Sequence, residues 1–326
     1  MSILDYYVDF DAGSDGDGSS GSPWNTFQSH HDALAGDIGG NIRRFNLKGT
    51  TAATLDLSGW TNEGSTAFVW LRAWGADRPL ISGSAAYGGM VKGTSIHVLL
   101  EGLDVVNTAT AGRALNPQGT DWVAWGCTFQ GTGGSGYAVF PNNVGLVLVA
   151  CCLHNSTTYG MNGANYHTFT LVNCTVVDNG GTGVYKSATF GSNLAFNTVA
   201  VGNGTNWALG RDTTSCAGNA SGDTTAPTDG GYVHNVNPAT AFANYAGGDP
   251  LNGDYDLAAS GSALQGAGAS VDAWLAANVD RTDYTVPRTD WKGTAWASPP
   301  SIGWAELAGG GGGSSPAPNP RAALLT

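Results

Sequence analysis

The chain has 326 residues, 41% hydrophobic and only 12% charged, with 25 acidic against 13 basic residues and a formal net charge of −12. It can bury a large core, but it lacks the basic face that phosphate neutralisation needs and has the wrong sign for an anionic membrane, so neither nucleic acid nor membrane is an expected partner. Fifty glycines without a triplet period exclude collagen, and no apolar segment is long enough to span a bilayer.

In chain order, Tyr6 to Phe10 reads as a strand, Asp11 to Gly21 as an acidic glycine loop, and Pro23 to Leu34 as a short helix opened by Ser22 with Trp24, Phe27 and Leu34 on one face. Residues 1–43 are expected to form an N-terminal cap that plugs the open end of the repeat region beginning at residue 44. Asp9, Asp11, Asp15 and Asp17 alternate with glycine in the manner of a calcium loop, although Gly13 stands where a third alternating ligand belongs. A structural Ca²⁺ there would brace the cap and do no chemistry; no other cofactor is expected. His30 and His31 are adjacent on the helix and cannot both face one metal.

Residues 44–212 carry a repeat of 23 or 24 residues. Set in register, the segments read GLDVVN from Gly102, GCTFQG from Gly126, ACCLHN from Ala150, NCTVVD from Asn173 and a weaker FNTVAV from Phe196. Cys127, Cys151 and Cys174 form one column, with Leu103 before it and Asn197 after it, and Gly136, Gly160 and Gly183 lie nine residues behind each cysteine. A period of this length marks a solenoid, because one unit cannot bury its apolar face except against its neighbours. Within a unit the apolar residues alternate, as in Val98, Leu100, Leu103 and Val105, so the units are strands. The glycine column implies a repeated backbone conformation that tolerates no side chain, and Asn107, Gly131, Asn155 and Asp178 align at a turn where stacked amides bond from rung to rung. Seven or so rungs make a rod on the order of 35 Å long. The column cysteines are expected to be free thiols acting as small apolar filler; Cys152 and Cys216 lie outside it, and no spacing suggests zinc.

Residues 213–308 break the period and are expected to fold back over the far end as an irregular C-terminal cap, with a helical turn from Val271 to Ala277. Residues 309–326 read as a Gly/Pro linker and apolar tail, in which Pro316, Pro318, Pro320, Leu324 and Leu325 would anchor the rod to an assembly. MSILDYYVDF has neither a basic n-region nor a cleavage site, so no secretory signal is read.

The opening YYVDFDAGSDGDGSSGSPWNTFQ, then GDIGGNIRRFNLKGTT, WGADRPLISGS and VLLEGLDVVN, and the closing NGDYDLAASGSALQGAG with SIGWAEL, resemble in order the ends of right-handed parallel β-helix proteins of the pectate-lyase-like superfamily. The resemblance covers roughly residues 5–307. It implies an all-β, single-stranded right-handed parallel β-helix with an N-terminal cap and an irregular C-terminal cap. That superfamily spans lyases, hydrolases, epimerases, adhesins and phage spikes, so the fold does not give the activity.

Lyases and hydrolases on such a fold work on an outer sheet face with carboxylates that bind Ca²⁺ or act as acid and base. The outward positions beside the cysteine column are Asp104, Thr128, Cys152 and Thr175, of which only one is a carboxylate, short of the pair that glycoside hydrolysis needs. Other candidates are scattered: Asp121, His154, His167, Lys186, Arg211 and Asp212. Of these, Lys186 with Arg211 and Asp212 could meet across neighbouring rungs as a lyase base with an acidic helper. Trp122, Trp125, Trp291, Trp296 and Trp304 could pack or stack on sugars.

These features lead to the expectation of a non-catalytic structural protein of a virus particle, a bacteriophage capsid decoration, fibre or spike component anchored by its C-terminal tail. Its partners would be other virion proteins such as the capsid, in a homo-oligomer or multicopy assembly made in a host cytoplasm. The alternative is a carbohydrate-active enzyme, a polysaccharide lyase or hydrolase, or a glycan-binding spike, secreted or extracellular.

Overall fold

The computed structural model describes residues 2–306 apart from Ser65, Ile96, 143–144, 164–167, 188–193, 210–215, 228–230, 259–261 and Thr282. Three parallel sheets wind into a right-handed β-helix of about seven turns. They are designated sheet A (eight strands), sheet B (nine) and sheet C (seven). A middle turn runs along Trp122–Trp125 in sheet A, Thr128–Gly131 in sheet B and Tyr137–Val139 in sheet C. The corner between sheets A and B is one residue in the left-handed region, filled in successive turns by Gly102, Gly126, Ala150, Asn173 and Asn197 with φ between 48° and 70°. Glycine and asparagine adopt that conformation at least cost.

Strand alternation sends one column per sheet inward. Leu100, Ala124, Leu148 and Leu171 stack in sheet A, Val105, Phe129, Leu153 and Val176 in sheet B, and Leu115, Val139, Met161 and Val184 in sheet C, all fully buried in one core. All five cysteines are free and buried. The cysteine column ends differently from the sequence alignment: Thr175 pairs with Val199, so Thr198 comes after Cys174 and Asn197 is the corner residue. The Thr198 hydroxyl accepts the Cys174 N–H at 3.3 Å, which satisfies this polar member of the column.

The glycine column also differs from expectation. Gly160 and Gly183 face each other across neighbouring turns, but Tyr137 pairs with Tyr159, so Gly136 falls opposite Thr158. None of the three has a positive φ. What they lack is room: a Cβ at Gly160 would stand 2.6 Å from Val176 Cγ1. Asn107 bonds to Ala85 of the neighbouring turn as aligned, but in later turns the polar ladder sits one residue further on. Gly131 N–H donates to Ser156 Oγ, Ser156 N–H to Asn179 Oδ1 and Asn179 N–H to Asn203 Oδ1, each at 3.0 Å. Asn155 and Asp178 turn outward instead, Asn155 to the Gly248 carbonyl and Asp178 to the hydroxyls of Tyr245 and Tyr255.

At the N-terminal end, Ile3–Asp9 already belongs to sheet A, paired along its length with Ile42–Lys48. Its other edge is blocked by backbone bonds to Gly18 and Trp24, which denies that edge to other chains. The helix is Gln28–Leu34, shorter than expected because Trp24 still bridges Val8 in extended form. Phe27 and the fully buried His31 plug the coil against Phe45 and Trp60.

The C-terminal region departs most from expectation. The far end is closed locally, where Ala226 enters the core and the Thr225 hydroxyl accepts the Trp207 N–H at 3.1 Å. Residues 236–305 run back along the flanks. Phe242, Tyr255, Trp291, Ile302 and Trp304 cover Cys152, Val177, Val199 and Val201 on sheet B. The helix Asp272–Asn278, through Leu275 and with Val271, Val279, Tyr284 and Val286 around it, covers Leu99, Val123, Val149 and Val172 on sheet A. Neither cluster includes a residue of sheet C.

Two outcomes test this packing. Gly160→Ala should lower stability by roughly 1–3 kcal/mol through overpacking, read as a lower melting temperature; an unchanged melting temperature would show that the close approach does not exist. Burial pushes His154, which lies beneath Tyr255, down to about 4. The unfolded chain therefore takes up a proton below about pH 6.5 that the folded chain refuses until about pH 4. Stability from this residue is constant above that window, falls on the order of 3 kcal/mol through it and levels off below. Urea titrations of His154→Gln should lack that falling limb, and parallel curves for both proteins would reject the assignment.

Candidate functional site

Among the described residues the C-terminal segment packs on sheets A and B and not on sheet C, whose outward residues differ in kind from those of the other sheets; Asn116 and Asn162 on it are nonetheless buried. Leu55–Asp56, Gly89–Gly93 and Arg113–Pro117 bring Asp56, Lys92 and Asn116 into register, while Tyr159–Gly163 and Thr182–Lys186 bring Asn162 beside Tyr185. Arg113, Tyr137 and Tyr159 form a second register row. The rings of Tyr137 and Tyr159 stack 5.5 Å apart within 4° of parallel, and Tyr185 continues the ladder 5.4 Å beyond Tyr159. Phe140 lies 5.6 Å from Tyr137 and carries the Arg113 guanidinium 3.9 Å above its ring, a cation–π contact. Asn116, with its amide oxygen toward Arg113 Nη1 at 3.2 Å and its nitrogen toward the Phe140 carbonyl at 3.0 Å, fixes that arrangement from below.

The row continues into an open cleft lined by Gln28, Asp32, Thr54, Asp56, Ser58 and Lys92. Burial pushes the Asp56 carboxyl up, but the Ser58 hydroxyl and Lys92, 3.0 Å away, outweigh it and hold the group below the usual range. Asp32 is also lowered, by His31 and then by Gln28. Trp60 Nε1–H can only donate, so His31 Nε2 accepts from it at 2.8 Å and the His31 proton sits on Nδ1, which donates to Asp32 at 3.0 Å. Neither carboxyl of the cleft is kept protonated, so the pair supplies no general acid of the kind glycoside hydrolysis uses.

Among the described outward side chains of this face, Lys92 and Arg113 are cations and Asp56 is the anion, in a chain whose acidic residues outnumber its basic ones 25 to 13; Lys186 follows the outward Tyr185 and is buried. Burial lowers both Arg113 and Lys186 from their ordinary values. Lys186 is 3% exposed at the end of the tyrosine ladder, in register with Gly163 and Leu209, and its stem crosses Gly163, where a Cβ would stand 3.3 Å from Lys186 Cδ.

The other sequence candidates lie elsewhere. Asp104, Thr128, Cys152 and Thr175 do share one register on sheet B, but they are buried, Thr128 donates to Asp104, and Thr175 Oγ1 accepts the Trp304 N–H, so that face offers no groove. Asp121 is exposed at a corner beside His97, and His154 is sealed under the C-terminal segment. In the acidic loop Asp9 pairs with Lys48, Asp11 accepts the Thr50 N–H, Asp15 pairs with His30 and Asp17 accepts the Ser19 N–H. Among the described residues no three His, Cys, Asp or Glu side chains come close enough to hold a metal ion. His167, Arg211, Asp212 and the tail positions Pro316, Pro318, Pro320, Leu324 and Leu325 lie outside the described residues. Trp122, Trp291 and Trp304 are buried; the partly exposed aromatic row is made of tyrosines, signalled in the sequence by Tyr137, Tyr159 and Tyr185 in successive third strands.

No family model and no curated protein matches the chain. Among solved structures it is similar to the crystal structure of pectate lyase Pel9A, at 15% identity and a TM-score of 0.52 over 94% of this chain and 97% of that one. It is also similar to a rhamnogalacturonan lyase, at 12% identity and a TM-score of 0.47 over 73% of this chain and 64% of that one. The first likeness shows the fold: this is a parallel β-helix of the pectate lyase kind.

The tyrosine ladder predicts its own energetics. Tyr137→Ala and Tyr159→Ala each remove two ring contacts and should cost about 1–3 kcal/mol, whereas Tyr185→Ala, which removes the contact with Tyr159, should cost less. Equal melting temperatures for all three variants would show that the rings do not stack.

Proposed function

We propose that the protein is a carbohydrate-active β-helix that binds an acidic polysaccharide along sheet C. The observation that carries this reading is the composition of the outward row of sheet C, where Lys92 and Arg113 stand with one carboxylate, Asp56, beside tyrosines and asparagines in a chain of net charge −12. Phenols and amides offer donors and acceptors to sugar hydroxyls, and Arg113, already oriented by Asn116 and Phe140, is suited to a carboxylate or sulfate by its forked geometry. The similar fold named as a pectate lyase is in keeping with a polysaccharide ligand. No feature of the described residues favours a role in a virus particle, and the tail on which that expectation relied lies outside them.

A catalytic version of this reading is favoured by Lys186. Burial lowers the pKa of the Lys186 amine from its ordinary value, the direction that suits a lysine base, and at 3% exposed it would have to be uncovered to meet the polymer. In an eliminative cleavage that amine would take the proton on the carbon next to the uronate carboxyl. The electron pair would form a C=C bond as the glycosidic C–O bond breaks, and the leaving oxygen would regain a proton.

In affinity electrophoresis the protein should be retarded by polygalacturonate or alginate and not by dextran. Arg113→Gln should weaken that binding roughly 5- to 10-fold, and Asp56→Asn should tighten it. Equal retardation by acidic and neutral polymers would reject the acidic-glycan reading. If cleavage occurs, incubation with the bound polymer should raise ultraviolet absorbance from the new C=C bond, faster as pH rises toward the Lys186 pKa, and Lys186→Met should abolish it while binding persists. Binding with no absorbance gain at any pH would leave a glycan-binding protein and remove Lys186 as a base.

A further inference from the structure

Tyr87 is the most exposed large hydrophobic residue among those described, at 78%, and its backbone lies in the left-handed region at φ 55°. Among the described residues its side chain makes no hydrogen bond or ring contact. A bulky side chain is disfavoured in that conformation, where glycine or asparagine would cost little. The fold therefore gains nothing from a tyrosine here, neither packing nor a favourable turn.

Its position is specific. Tyr87 lies in the turn between Leu80–Gly83 of sheet B and Gly89–Gly93 of sheet C, on the rim of sheet C. The next residue, Gly88, accepts the Arg113 N–H at 3.2 Å, and a Cβ on Gly88 would stand 3.9 Å from Lys92 Cδ. Tyr87 thus stands on the rim beside the strands that carry Lys92 and Arg113, the backbone N–H of Arg113 reaching the residue next to it.

We infer that Tyr87, with Arg113 and Lys92, forms an end subsite for an acidic sugar unit, Tyr87 stacking on the apolar C–H face of the ring while the cations take its acidic group. This inference rests on the glycan reading of sheet C. The three members divide the labour that a uronate presents, an apolar ring face on one side and a negative charge at its edge. The other aromatics of the face contact one another, whereas among the described residues Tyr87 makes no ring contact.

The test is isothermal titration with hexasaccharides of galacturonate and of alginate. Tyr87→Asn, which suits the left-handed backbone, should keep or raise the melting temperature while weakening binding roughly 3- to 10-fold, and Tyr87→Phe should bind like the parent. If Arg113→Gln weakens binding but Tyr87→Asn does not, the stacking role is overturned while the glycan reading stands. If the parent protein binds neither hexasaccharide, the reading of the face falls and the subsite with it.

Discussion

The structure depends on one constraint, the in-register stacking of each turn on the next. A single turn exposes one apolar residue per strand on its inner side and cannot bury them alone, so every inward position is judged against the residue one turn above and one below. The one-residue left-handed corner keeps the turns superimposable, since its backbone angles reset the strand direction identically each time. A column can change chemistry only where the new group is satisfied locally, as Thr198 is by the Cys174 N–H. Cysteine suits the column because it fills a small space without leaving a polar group unsatisfied.

Stacking also makes three flat outer faces, and the polarity of their outward columns decides their fate. Sheet A presents Leu99, Val123, Val149 and Val172, and sheet B presents Cys152, Val177, Val199 and Val201. Left in water these would form apolar patches of the kind that drive association. The C-terminal segment answers both with aromatic and aliphatic side chains and anchors itself through Asp178, Asn155 and Thr175. Sheet C presents the polar residues Asp56, Lys92, Asn116, Asn162 and Tyr185, and among the described residues neither C-terminal cluster packs on it. The described C-terminal segment thus covers the two apolar faces and not the polar one.

The coil was legible in the sequence because packing imposes a period on whatever points inward, and Cys127, Cys151 and Cys174 marked it. The slip between Asn197 and Thr198 was not, because Phe196 and Asn197 fit the weak last copy equally well until strand pairing sets the register. The path of residues 236–305 was invisible because a segment that packs on flanks repeats nothing. The tyrosine ladder escaped for a related reason: Tyr137, Tyr159 and Tyr185 are 22 and then 26 residues apart, so they fall out of a 23- or 24-residue frame even though their rings meet in space. Candidate chemistry chosen beside the cysteine column landed on sheet B, the face that the chain itself covers.

A basic face on an acidic protein constrains how an anionic polymer could be held. At physiological ionic strength charges more than about 8 Å away are largely screened, so most of the net −12 acts on the polymer only weakly once it lies on sheet C, while Lys92 and Arg113 act at contact. During approach at low salt the balance reverses, because the whole charge distribution is then felt and opposes encounter. Added salt would first relieve that repulsion and then, at higher concentration, erode the local attraction. Under the acidic-glycan proposal this arrangement would give an optimum in affinity at intermediate ionic strength, whereas a uniformly basic protein would lose affinity monotonically. The overall acidity would then disfavour loose adsorption of any polyanion and favour those whose acidic groups reach the two cations directly.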